Sequence, residues 1–279
     1  MVQFTPRRLA SALVRRVVVL LLIGFVVGPF IWMLLTAVKT PDEVIKVPPV
    51  YVPSKVTLAN FRYFLDCGAL GYGLNSVVVT LLTLLLTYLL VIPAAYACSR
   101  YKFGLKPYLL VFLVCTQMFP GILLVVPMYK TMNALGLLNT YFSLVIANTT
   151  VVLPFSILIL ITFLNAVPRD LDEAALVDGA SRIQVITRVI LPVAVPGIIA
   201  VSVYCIIYSW NEYMFALTFI TRDSLKTLQI GLAGMQSQYL NTWAQIMAGS
   251  TMTMFPILIL FFLAQRYLVS GLTAGSVKG

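Results

Sequence analysis

The stretch Glu173–Pro192, EAALVDGASRIQVITRVILP, is the most polar part of the C-terminal two-thirds of an otherwise apolar chain. With the preceding Arg169, Asp170 and Asp172 it lies between two long hydrophobic runs. A connector between two membrane helices could be far shorter and wholly polar, whereas this one mixes charged residues with small apolar ones. Such a segment indicates docking to another molecule, with a solvated loop as the alternative.

The composition around this stretch is that of a membrane protein. Of the 279 residues, 61% are hydrophobic and 10% are charged, against about 25% charged residues in soluble domains. Lipid offers no partners for backbone polar groups, so runs that cross about 30 Å of hydrocarbon must be helices. The sequence therefore predicts an all-α polytopic fold with six transmembrane helices, at roughly 17–38, 74–98, 107–129, 141–167, 194–220 and 243–264.

The distribution of Lys and Arg predicts that both termini are cytoplasmic. Segments that would then lie inside carry four, three, three and two basic residues, and the outer loops carry four, one and two. We expect a cytoplasmic tail at 1–16, a transmembrane domain at 17–264 that includes the 168–193 loop, and a cytoplasmic tail at 265–279. The first run exceeds the length of a signal-peptide core, so we expect a retained anchor helix.

Several kinds of chemistry are excluded by residue type. The chain has no histidine, which removes H-E-x-x-H zinc sites and histidine-based catalytic triads and dyads. Its four cysteines form no C-x-x-C pair and lie in or beside hydrophobic runs, as packing residues do. We therefore expect no metal site, no catalytic residue and no enzyme activity in this chain.

Local signals predict two helices within the 168–193 loop. Acidic residues after Pro168 favour a helix from about 168 to 178, because they lie near its positive N-terminal end. Asp178-Gly179 is a natural stop, since glycine accepts the positive φ of a helix C-terminus. Ser181 is a candidate N-cap for a second helix through Ile190, followed by a proline-marked bend into the fifth span. The loop is thus predicted to be a compact two-helix knob.

Polar residues also occur inside the fifth hydrophobic run. Asn211 and Glu212 follow Tyr208 and Trp210, and Glu212 is the one acidic residue in any predicted span. A carboxylate in hydrocarbon costs about 2.5–3.5 kcal/mol or more, so it should face a cavity or a polar partner. These four residues are candidates for lining or gating a pathway, with a structural hydrogen bond of Glu212 as the alternative.

The knob resembles the EAA loop of permease subunits of bacterial ABC importers. Glu173-Ala174-Ala175 is followed by Gly179 after three residues and by Val189-Ile190-Leu191-Pro192 after nine more. The six-run layout, the Trp210-Asn211 pair and the final GLTAGSVKG also resemble the smaller permease of carbohydrate importers of the maltose/maltodextrin type.

This resemblance implies a type I importer permease fold, with coupling helices between the fourth and fifth spans. It assigns contact with a cytoplasmic ATPase to residues of the knob and of the C-terminal tail: Glu173, Ala174, Ala175, Leu176, Asp178, Gly179, Ala180 and Ser181, and Gly275, Ser276, Val277 and Lys278.

The resemblance further implies a set of partners. They are a second homologous permease, an ATPase homodimer that binds ATP and Mg²⁺, an extracytoplasmic solute-binding protein and a sugar-like solute, with membrane lipid around the chain and no nucleic acid. The expected role is half of a translocation pathway in the bacterial inner membrane, with no cofactor bound by this chain. The alternative is a self-sufficient secondary transporter that uses Glu212 for ion coupling.

Overall fold

The computed structural model describes residues 6–235 and 243–274 of the chain, and within them every regular element is helical. The all-α class predicted from the sequence is therefore confirmed. In chain order the helices are α1 Pro6–Ala37, α2 Pro41–Val44, α3 Ala59–Asp66, α4 Ala69–Arg100, α5 Lys106–Thr116, α6 Val125–Ala134, α7 Tyr141–Ala166, α8 Asp170–Val177, α9 Arg182–Gln184, α10 Leu191–Val193, α11 Val195–Asn211, α12 Met214–Phe219, α13 Leu228–Gly234 and α14 Trp243–Ala274.

Four of these helices are long and apolar enough to cross a membrane unbroken, namely α1, α4, α7 and α14. Two further candidate spans are bent pairs of helices. Lys106–Thr116 and Gly121–Ala134 meet at 97°, and Arg182–Val193 and Val195–Asn211 meet at 83°. Counting each bent pair as one span gives six.

Each of the hydrophobic runs at 107–129 and 194–220 is interrupted, so neither is a single straight helix. In the first, α5 ends at Thr116 and a 3₁₀ turn begins after Pro120. In the second, Glu212 has an extended backbone (ψ 127°) that ends α11 before α12 begins. Hydropathy reports only how apolar a run is, so it does not locate such breaks.

The described residues divide into two compact units. One comprises Met1–Cys67 and Leu232–Met254. Within it, the buried Asn60 side chain on α3 donates to the carbonyls of Ala37 and Lys39, each at 2.8 Å. These two bonds satisfy carbonyls at the C-terminal end of α1 and fix α3 beside it.

The other unit, Gly68–Gly231 and Phe255–Gly279, is built around α4, α7 and α11. Its apolar core runs along these helices and extends into the 168–193 segment, where Val185 and Ile190 are fully buried. Gly197 on α11 lies so close to α7 that an added Cβ would be 2.7 Å from Cβ of Phe163. The absence of a side chain at Gly197 is what permits this approach of the two helices.

Candidate functional site

The knob (residues 168–193) forms the two helices and the glycine corner that the sequence predicts. Its first helix, α8, begins at Asp170 and ends at Val177, and Gly179 follows with φ +83°. The amide of Ala180 donates to the carbonyl of Ala175 at 3.0 Å, and that of Gly179 donates to Leu176 at 3.1 Å. These two bonds make a Schellman motif, the helix ending that favours glycine in the left-handed region.

The second helix of the knob begins at Arg182, and Ser181 is its N-cap, as predicted. The Ser181 hydroxyl accepts from the Gln184 amide, and the Gln184 side chain accepts from the Ser181 amide at 2.7 Å, which makes a reciprocal capping box. Residues Val185–Ile190 continue as a π-helix rather than an α-helix. Such wider turns are rare and often lie at functional sites.

The predicted coupling residues divide between two sides of the knob. Ala175, Leu176 and Ala180 are half-buried and pack against the apolar core. The remaining ones are exposed, namely Glu173, Ala174, Asp178, Gly179 and Ser181. Beside them Val177 is 87% exposed, although it is apolar. The knob therefore has an inner face that fixes it to the bundle and an outer face with small, acidic and apolar groups.

A buried ion pair fastens α8 to the end of α4. Nε of Arg100 lies 2.9 Å from Oδ2 of Asp172, and both side chains are less than 10% exposed. The Tyr96 hydroxyl donates to the other carboxylate oxygen at 2.8 Å. Arg100 also donates to the Leu164 carbonyl at 3.0 Å, and Arg169 donates to the Ser99 carbonyl at 3.1 Å.

Sequence reasoning missed the Arg100–Asp172 pair. The sequence indicates this pair only by the basic Arg100 just after the second hydrophobic run and the acidic Asp172 next to Glu173. Many charge pairs could satisfy that pattern, so only the packing of α4 against α7 and the knob selects this one.

The pathway candidates lie at the break of the fifth span. Tyr208, Asn211 and Glu212 line an open cavity of about 400 Å³, together with Gly121 and Ile122 from the break of the third span. The cavity therefore lies where two interrupted spans meet. Trp210 is buried and does not line this cavity.

Glu212 has a structural role at this break. Its carboxylate accepts the amide of Phe215 at 2.6 Å and that of Ala216 at 3.0 Å, so it caps α12. A carboxylate at a helix N-terminus pairs with free amides and with the positive end of the helix dipole. The structure therefore has the structural hydrogen bond that the sequence left open as an alternative role of Glu212. The same side chain also borders the cavity.

The predicted tail contacts, Gly275, Ser276, Val277 and Lys278, lie outside the described residues.

Comparison with known proteins places the chain in a family. Residues 90–274 match the family model described as a binding-protein-dependent transport system inner membrane component. The chain belongs to this family. It is 37% identical over 254 residues to the inner membrane ABC transporter permease protein YcjP of Escherichia coli (strain K12), covering 90% of this chain and 91% of that protein.

Two further similarities agree with this assignment. The chain is 37% identical over 255 residues to the trehalose/maltose transport system permease protein MalG of Thermococcus litoralis, covering 90% of this chain and 91% of that protein. Its fold matches a crystal structure of a bacterial ABC transporter involved in the import of the acidic polysaccharide alginate, with TM-score 0.80 and 18% identity over 96% of this chain and all of that one. The chain is a multi-pass inner-membrane permease with the six-span importer fold predicted from its sequence.

Proposed function

We propose that this chain is the permease subunit of an ATP-driven ABC importer for a sugar or sugar-like solute. In this proposal it forms half of the translocation pathway beside a second homologous permease. Two copies of an ATPase subunit bind ATP and Mg²⁺, and an extracytoplasmic binding protein delivers the solute. Both termini of the chain are then cytoplasmic, and the C-terminal tail from 275 to 278 reaches the ATPase.

The observation that carries the proposal is the geometry of the knob. Two capped helices meet at a left-handed glycine, and the inner face is bound to α4 through the buried Arg100–Asp172 pair. A knob held this firmly moves as one body with the ends of the spans. When a partner bound to the outer face closes, the knob would then tilt those spans. A rigid connection of this kind transmits a two-state movement of one domain to the helices of the next.

The outer face has the chemistry of a docking surface. It combines the exposed apolar Val177 and Ile183 with the acidic Glu173 and Asp178. Covering the apolar groups with a partner lowers the free energy of the complex, and the charged groups around them favour a partner surface of complementary charge. We assign this face to the ATPase subunit.

Crosslinking tests this assignment. In a variant with Cys67 and Cys115 replaced by serine, Val177→Cys is labelled with a photoreactive crosslinker in the complex purified with its co-expressed ATPase. We expect a crosslink to the ATPase. The matched control is Leu135→Cys, which is 62% exposed and separated from the knob by the whole of α7. Equal crosslinking from both positions, or none from Val177→Cys, would show that the assignment is wrong.

The sugar class is supported by the cavity at the broken spans and by the names of the relatives. A volume of about 400 Å³ is within the usual range for small-ligand pockets, about 300–1,000 Å³. Tyr208 and Tyr213 line it, and aromatic side chains offer apolar faces to the CH groups of sugars. Uptake of labelled maltose and trehalose by the reconstituted complex, with and without ATP, tests this class.

The second candidate is a secondary transporter that couples an ion to Glu212. The observation in its favour is a carboxylate at the edge of the cavity. Against it, both carboxylate oxygens already accept backbone amides, which leaves the group occupied in capping α12. This candidate requires solute uptake by the chain alone, driven by an ion gradient in liposomes without ATP.

A further inference from the structure

A second polar cavity lies in the unit formed by Met1–Cys67 and Leu232–Met254. It has a volume of about 220 Å³, and the side chains that matter for its chemistry are Trp32, Thr36, Lys39, Glu43 and Trp243. The apolar span Leu13–Ala37 ends two residues before Lys39, and the span Trp243–Gln265 begins at Trp243 itself. The cavity is therefore at a level where membrane meets water.

Two opposite charges face this cavity without meeting. Lys39 is 2% exposed, and its ammonium donates to the carbonyl of Val50 and lies 4.3 Å from the centre of the Trp32 ring. Glu43 is 5% exposed, and one of its oxygens accepts from the amide and hydroxyl of Ser54. Among the described residues Lys39 and Glu43 form no ion pair with each other.

Hydrogen-bonding capacity remains unused on this cavity wall. Within the described part of the chain, Oε2 of Glu43 and Oγ1 of Thr36 are buried and have no hydrogen-bond partner. The Lys39 ammonium has three hydrogens, of which Val50 takes one. Buried charged groups are costly unless their remaining positions are satisfied. A ligand that fits must present a negative group to Lys39 and a donating positive group to Glu43.

We propose that this cavity binds the headgroup of a zwitterionic phospholipid that carries a primary ammonium, the phosphatidylethanolamine class. The phosphate accepts hydrogen bonds from Lys39, whose ammonium lies over the Trp32 ring, and the lipid ammonium donates to Glu43 in the cavity that Trp243 also lines. Tryptophan is enriched at membrane interfaces, and aromatic faces attract ammonium groups. The volume is below the roughly 300–1,000 Å³ of pockets for drug-sized ligands, so it suits a headgroup better than an oligosaccharide.

Native mass spectrometry tests this proposal independently of transport. The full-length chain, with the subunits that co-purify, is placed in nanodiscs containing equal amounts of phosphatidylethanolamine, phosphatidylcholine and phosphatidylglycerol, and retained lipids are counted after release. We expect about tenfold preferential retention of phosphatidylethanolamine, because phosphatidylcholine has no ammonium hydrogen to donate and phosphatidylglycerol has no ammonium.

Variants identify the site. Glu43→Gln should lower the preference for phosphatidylethanolamine over phosphatidylcholine about tenfold, and Lys39→Met should reduce retention of both lipids about tenfold. The matched controls are Asp42→Asn and Lys55→Met, which make the same charge changes at exposed positions of the same unit and should behave as wild type.

Three results on lipid retention would overturn the proposal. They are equal retention of the three lipids by the wild-type chain, a preference for phosphatidylglycerol, and controls that lower retention as much as the site variants do. Displacement of the lipid by millimolar maltose would also overturn it, because the cavity would then be a solute site. The comparison of lipids on the wild-type chain needs no substitution, so it stays decisive if Lys39→Met fails to fold.

Discussion

Removing the charge of Asp172 should release the knob from α4. Asp172→Asn keeps the shape of the side chain but leaves the Arg100 guanidinium buried without its counter-ion. Breaking such a pair typically costs about 3–5 kcal/mol, and because both side chains are less than 10% exposed, solvent screens little of it. If opening of the knob breaks this pair, amide hydrogen exchange in α8 should accelerate by about 100- to 4,000-fold, since 1.4 kcal/mol is a factor of ten.

The matched control is Asp170→Asn. It removes the same charge from the same first turn of α8, but Asp170 is exposed and is in neither of the ion pairs found among the described residues. Loss of its interaction with the helix dipole should cost about 0.3–1 kcal/mol, which corresponds to about two- to fivefold faster exchange. Hydrogen-exchange mass spectrometry on peptides covering residues 170–177 measures both variants in the same experiment.

A triple variant tests the cause. Arg100→Met with Asp172→Leu and Tyr96→Phe replaces the pair and the hydroxyl bonded to it by apolar groups, so no buried charge is left unpaired. Protection of α8 should return to near the wild-type level, because apolar replacement of a buried pair is often neutral or stabilising. If Asp172→Asn exchanges within about fivefold of Asp170→Asn, the pair does not hold the knob and this reasoning fails.

Three further predictions concern single positions. Gly179→Ala should destabilise the corner by about 1–2 kcal/mol, and the cost comes from the positive φ alone because an added Cβ meets open space. Gly179→Asn should cost less, since asparagine tolerates the left-handed region better than alanine. The amount of solute taken up per ATP hydrolysed measures the effect on coupling. Gly197→Ala should lower the free energy of unfolding by about 1–3 kcal/mol in denaturant titrations. The double variant with Phe163→Gly, which removes the Cβ and Cγ that the new methyl group meets, should lose less than the sum of the two single losses, and additive losses would contradict a clash. The hydrogen bond from Ser54 holds the pKa of the Glu43 carboxyl below its ordinary value of 4.5. The ionised carboxylate therefore contributes to stability above pH 4.5, and this contribution is lost as the pH falls below 4.5. The thermal unfolding temperature of Glu43→Gln should depend less on pH in that acidic range than that of the wild type, and the same pH dependence in both would count against this prediction.

Parts of the candidate site follow from short-range rules and were predictable. The stop at Asp178-Gly179 and the cap at Ser181 depend on residues within five positions of each other, and the structure has both where the sequence indicates them. The π-helical turn at Val185–Ile190 was not predicted, since no composition signal separates it from an α-helix. The predicted ATPase contacts of the outer face stay predictions.

The sequence alone determined that this protein is a bundle of membrane helices and that its polar insert at 168–193 is a two-helix knob. Hydrophobic length and helix capping are properties of neighbouring residues, so they can be read along the chain. Tertiary structure alone decided that Arg100 pairs with Asp172 and that Lys39 and Glu43 face one cavity without touching. Each of these depends on which helices pack together and on how a buried charge is satisfied there, and neither is fixed by local spacing.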